Sequence, residues 1–181
     1  MNKKILSIIC LLLLNVVIAV PHAYAARKVL SVPVYSQIDD FSCWAACCKS
    51  IIQFCEGSSP SQQTIINYIP GGDNGASLDE SKQALAHWNV ISSKKSSALT
   101  YSGVGSQIDN NHPIWAGLSR GGGWAGQHAN VIRGYDTSTN FVLYLDPTGG
   151  DYHGQTYSTY VNGMHWDDSW WTWDSTIYDC T

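Results

Sequence analysis

The chain has 181 residues, with 14 acidic against 10 basic side chains and a formal net charge of −4. That balance argues against a nucleic-acid partner, which would reward clustered Lys and Arg. A composition of 44% hydrophobic, 12% aromatic and only 13% charged residues, with eight Trp, describes a packed domain with a partly aromatic surface and excludes a disordered chain.

The first residues read as an export signal. Lys3 and Lys4 form a basic start, an apolar run follows from Ile5 to Val20, and Pro21 precedes the small-residue motif Ala23-Tyr24-Ala25. That order predicts a secretory signal peptide over 1–25, cut after Ala25. A membrane anchor fits less well, because the run is short, holds Ser7 and Asn15, and lacks a basic stop on its far side. Residues 26–181 then form one secreted or periplasmic domain of bacterial type, with no membrane association after cleavage.

Val29 to Tyr35 alternates apolar and polar positions and reads as an edge strand or extended arm, kept from a central place by Pro33. CWAACCKSIIQFC reads as a mostly buried helix that starts near Ser42 or Cys43 and ends at Gly57. A second helix is expected from Pro60 to Ile69, stopped by Pro70-Gly71-Gly72. A third runs from Leu78 to Trp88, with Ser77 and Glu80 spaced as a capping box. Beyond Ser92 the pattern becomes β-like, at Pro113 to Leu118, His128 to Tyr135 and Phe141 to Leu145, the last two joined by a hairpin-length DTSTN turn. The tail from Tyr157 to Tyr178 reads as aromatic and irregular. Helices first and strands afterwards is an α+β order.

Cys43 stands where the first helix opens, so free N–H groups and the positive end of the helix dipole favour its thiolate, the reactive form. A lone cysteine in an exported chain is more often structural, but its neighbours change that reading. Gln37 lies six positions earlier, across a polar loop, where its amide can join the Cys43 N–H as an oxyanion hole. Pairing of the two strands around DTSTN brings His128 towards Asp146, which can accept from the far ring N–H and fix the tautomer.

The segment QIDDFSCWAACCKSI resembles the active-site helix of papain-like cysteine proteases, GQHANVIRGYD resembles their histidine strand, and FVLYLDPTGG the next strand, which ends in the orienting Asn or Asp. The compact bacterial types, double-glycine leader peptidases and effector proteases of plant pathogens, are the nearest in kind. The resemblance implies an α+β papain-like fold, an N-terminal helical half packed on a small C-terminal antiparallel sheet. It implies Cys43 as nucleophile, His128 as base, Asp146 as orienter and Gln37 at the oxyanion, with Trp44, Trp124 and Gln127 as cleft candidates. Peptide-bond hydrolysis on a protein or peptide substrate follows, with no cofactor. Asp40-Phe41 replaces the Cys-Gly of the papain signature, and Gln127 stands where many relatives have Gly. No prosegment is expected, which leaves latency to a separate inhibitor or immunity protein or to a folding requirement.

Cys47, Cys48, Cys55 and Cys180 remain as an even set in an oxidising compartment. Cys48 and Cys55 on one helix lie about 10 Å apart by rise, too far to bridge, so a bond from Cys180 to Cys48 or Cys55 competes with buried free thiols. His87, His112, His153 and His165, with Asp151, Asp167 and Asp168, match no zinc spacing, and no metal is expected. The loop Gly121 to Trp124 reads either as a substrate-touching loop or as a plain turn. Trp166, Trp170, Trp171 and Trp173 read as core before sugar platform; the resemblance implies that one of them shields the bond from the histidine to its orienter. Rival readings are a deamidase, a transglutaminase-like toxin or a cell-wall amidase on the same triad, and a non-catalytic aromatic-rich binding module.

Overall fold

The structure, a computed structural model, describes residues 26–120, 127–166 and 169–181. The expected signal, Trp124 and its glycine-rich loop lie outside the described residues.

Helix α1, Cys43–Glu56, buries most of its first ten residues and ends at Gly57, whose left-handed φ of 73° costs nothing without a Cβ. Helix α2, Gln62–Tyr68, is capped by the Ser61 side chain accepting from the Thr64 N–H. Helix α3, Leu78–His87, carries the expected capping box, with Ser77 and Glu80 each accepting from the other's backbone. Helix α4, Tyr101–Asp109, is an addition to the sequence reading; Gly103 and Gly105 dilute its signal, and Thr100 caps it. Helix α5 is Tyr157–Asn162.

The strands are β1 Arg27–Val29, β2 Ser93–Lys95, β3 Ile114–Arg120, β4 Gln127–Asp136, β5 Phe141–Asp146, β6 Asp151–Thr156, β7 Met164–Trp166 and β8 Ser169–Tyr178. They form one antiparallel sheet in the order β2-β8-β3-β4-β5-β6, with β1 on β4 and β7 on β8. The fold is of the expected α+β type, with helices packed on an antiparallel sheet, but the sheet is not small. The tail expected to be irregular supplies β8, an interior strand between β2 and β3. Trp171, Trp173 and Ile177 of β8 are buried. A register shift that skips Asp174, between Trp173 and Ser175, breaks the alternation that would have marked it as a strand.

The expected arm at 29–35 pairs as strand only through Val29. It then leaves the ladder and runs past β6, where the Tyr152 hydroxyl donates to the Val32 carbonyl. Helix α1 packs on β4, and α2 and α3 pack on α1. The core joins Ile51, Ile65 and Leu85 of these helices to Ile114, Val131 and Leu145 of the sheet. A buried helix crossing the middle of a twisted sheet leaves its N-terminal end beside the start of β4, where the site lies.

Candidate active site

Cys43 opens α1 and is only 9% exposed. Ser42 does not cap the helix; its hydroxyl instead accepts from the Ile38 and Asp39 N–H groups, both at 3.0 Å. The hydroxyl therefore tightens the preceding loop and leaves the first helical N–H groups facing the site. One turn further on, the Cys47 thiol donates to the Ala129 carbonyl at 3.2 Å, pinning α1 against the residue that follows His128.

His128 lies near the start of β4 and Asp146 at the end of β5. The register of this hairpin decides whether they meet. From the turn inward, Asp136 faces Phe141 and Gly134 faces Leu143, but beyond Arg133 the pairing shifts to Ile132 with Tyr144 and Val131 with Leu145. Arg133 is thus an extra residue on β4. Continuing the shifted register sets Asp146 opposite Asn130, on the face that His128 shares. Without the bulge Asp146 would stand opposite Val131, on the other face, because side chains alternate along a strand.

The resulting contact is direct: His128 Nε2 lies 3.0 Å from Asp146 Oδ1, with both groups buried. The Thr148 N–H donates to the same carboxylate oxygen at 2.9 Å. The His128 ring also hydrogen-bonds the Cys43 thiol. Burial by itself would strip its proton, but the bonds to Asp146 and to Cys43 prevail and lift its pKa to about 9. Burial would raise Asp146, yet the His128 bond and charge, with Thr148, hold it below the usual carboxylate range. Cys47 and Cys48 are pushed up, chiefly by burial, and stay neutral thiols. Two groups driven apart in this way can divide base and orienting work between them.

Gln37 is tied to the same corner, its N–H donating to the Pro147 carbonyl at 2.8 Å. Its amide Nε2 donates to the Asp39 carbonyl at 2.7 Å, and its Oε1 is buried without a partner among the described residues. The Trp171 ring stands edge-on to His128, with centroids 5.9 Å apart. Of the cleft candidates, Gln127 is exposed at the start of β4. Trp44 turns inward instead; it is 2% exposed and its Nε1 donates to the Gly72 carbonyl, so it packs the helix onto the loop behind it. The sequence reading missed Asn130, a fully buried amide beside the His128–Asp146 contact. Its signal was a polar residue two positions from the histidine in an otherwise apolar strand. All five described cysteines are free; the Cys48 thiol donates to the Ser81 carbonyl at 3.7 Å and the Cys55 thiol to the Cys180 carbonyl at 3.8 Å.

A cysteine at a helix N-terminus, bonded to a histidine that is bonded to an aspartate, is an arrangement shared by many thiol hydrolases. The comparison that decides among them is a match of residues 27–164 to the family of the papain-like cysteine protease AvrRpt2. The chain belongs to that family. This AvrRpt2-family protein is accordingly a cysteine-type peptidase, and the non-catalytic binding module is set aside. Its fold is similar to that of a C39-like peptidase from Bacillus anthracis, at 11% identity over 84% of this chain and 97% of that one, with a TM-score of 0.59. It is similar also to Xylellain, a cysteine protease from Xylella fastidiosa, at 13% identity over 86% of each chain, with a TM-score of 0.57. No curated protein gives a significant match to the AvrRpt2-family chain.

Proposed function

We propose that the chain is an exported peptidase that cleaves peptide bonds through Cys43, His128 and Asp146. The observation that carries this reading is the position of His128, bonded on one side to the Cys43 thiol and on the other to Asp146. Cys43 sulfur attacks the scissile carbonyl, and the imidazolium of His128 gives its proton to the departing amine. Water, deprotonated by His128, then displaces the cysteine from the thioester. Asp146 holds the ring and stabilises its charge. The Cys43 N–H and the second hydrogen of Gln37 Nε2 receive the oxyanion, a role supported by the uncapped start of α1 and by the tether of Gln37 to Pro147. Ile38 and Phe41, 54% and 59% exposed on the loop between Gln37 and Cys43, offer apolar contacts to a peptide at this rim.

The basic start, apolar run and Ala-Tyr-Ala motif of residues 1–25 support export of the enzyme to the periplasm or beyond. In that oxidising compartment we assign a disulfide between Cys55 and Cys180, supported by the approach of the Cys55 thiol to Cys180 and the engagement of Cys48 elsewhere. A disulfide-bearing oxidoreductase would accept both electrons, and intact mass would show the loss of two hydrogens.

The test of the triad is titration of the purified domain with a peptidyl epoxide, read by intact mass. One adduct on the wild type, absent from Cys43→Ala and reduced by about 10³-fold in rate in His128→Ala, is expected. A reduced, folded wild type that forms no adduct would overturn the triad. Parallel assays on casein, on glutamine side chains and on peptidoglycan separate peptidase from deamidase and amidase chemistry.

A further inference from the structure

Asn130 is a buried polar group that the triad chemistry does not itself call for. It is fully buried, two residues from His128 on the same face of β4 and opposite Asp146. With its amide oriented so that the nitrogen meets acceptors, Nδ2 lies 3.3 Å from Asp146 Oδ2 and 3.0 Å from the Ala129 carbonyl, with His128 Nε2, whose own proton points to Asp146, 3.1 Å away. Two of these neighbours are oxygens that only accept, so the nitrogen belongs on that side. Tyr160 on α5 lies near the other end of the amide; it is fully buried, and its hydroxyl has no hydrogen-bond partner among the described residues. The Tyr160 ring is fixed by Tyr144 and Trp173, with centroids 4.9 Å and 5.6 Å away.

The carboxylate of Asp146 is thereby divided between two tasks. Oδ1 takes His128 Nε2 and the Thr148 N–H, while Oδ2 takes the Asn130 amide. A carboxylate held at one oxygen can still rotate; held at both, it has one orientation. A buried amide is costly unless it is bonded, and an apolar residue of similar volume would fill this strand position as well. The amide's bonds run to the one group whose orientation sets the histidine.

We infer that Asn130 is a positioning residue that keeps Asp146 ionised and turned so that Oδ1 faces His128. The inference rests on the triad reading above. An N–H donor favours the charged form of a carboxylate, so loss of Asn130 raises the pH at which Asp146 takes a proton. It also leaves the carboxylate free to turn away from the ring, which slows the chemical step without altering the groups that bind substrate.

The test uses two variants, Asn130→Leu and Asn130→Ala, and two readouts. The first readout is the ring N–H resonance of His128 in protein labelled at histidine nitrogen, assigned by its loss in Asp146→Ala and followed during acidification. The second is inactivation by the peptidyl epoxide, resolved into a maximal rate and a half-saturating concentration. In Asn130→Leu the acid midpoint of the resonance should rise by about half a unit to one unit. The maximal inactivation rate should fall about tenfold at an unchanged half-saturating concentration. Asn130→Ala, which removes the same donor without adding bulk, should move both readouts in the same directions. If Asn130→Leu does not fold, Asn130→Ala decides alone. Wild-type midpoints and rates in the folded variants would overturn the inference. So would a loss that appears equally in the half-saturating concentration, the sign of a loosened site. A wild-type resonance indifferent to Asp146→Ala would overturn the triad itself and this inference with it.

Discussion

His128 keeps a proton under conditions in which burial alone would remove it. Its pKa of about 9 lies above the ordinary value near 6.5 because the bonds to Asp146 and Cys43 outweigh desolvation. Between those two values the folded chain holds a proton that the unfolded chain releases, so stability falls as pH rises. The contribution is full below about 6.5 and gone once pH has passed about 9. Thermal melts should therefore show Tm dropping across that window, and His128→Ala should flatten the slope. Asp146, held low, acts in the opposite sense: its contribution is present above the ordinary carboxylate range and lost as pH falls through its depressed value. Cys43, His128 and Asp146 were legible in the sequence because each sits inside a short run of residues that such chemistry requires. Asn130 was not, because a single polar residue in a buried strand has no meaning until its cross-strand neighbour is known.

At the level of elements, the β4–β5 hairpin carries its information in one extra residue. The two strands and their turn could be read from composition, but the bulge at Arg133 could not. β4 is buried on both faces through most of its length, so a slip of one position leaves no trace in the apolar pattern. Deletion of Arg133 is expected to leave an unbroken ladder in which Ile132 still faces Tyr144 and Asp146 still stands opposite Asn130. Far-UV circular dichroism and the epoxide adduct on Cys43 should both be retained, while loss of the bond from Arg133 to the Leu30 carbonyl should lower the urea midpoint. Gly134, beside the bulge, has no space for a side chain, since a Cβ there would lie 2.7 Å from the Lys28 carbonyl and 3.1 Å from Val29 Cα. Gly134→Ala should push β1 away from β4 and cost about 1–3 kcal/mol in urea unfolding. The capping box of α3 and the glycine stop of α1 were legible for the opposite reason, because their partners lie within four residues.

At the scale of the whole molecule, the α+β order and the division into helices and sheet follow from the way apolar periodicity changes near Ser92. The place of each strand in the sheet does not, because strand order depends on contacts far apart in sequence. The β8 segment shows the limit: its tryptophans suggested core, yet nothing local placed it between β2 and β3. That placement has a consequence for the order of events during synthesis. Cys43, His128 and Asp146 have all been made before residue 150, but β3 then lacks the neighbour that covers its outer edge, and Trp171 has not reached His128. Pairings this distant are late and slow to form. Chains ending at Gly163 should remain protease-sensitive and unreactive towards the epoxide, whereas those reaching Tyr178 should resist digestion and react. The topology thus serves as a clock on the enzyme: the growing chain carries a complete set of reactive groups but no assembled cleft, and on an export route it would cross the membrane before it could cut anything on the near side.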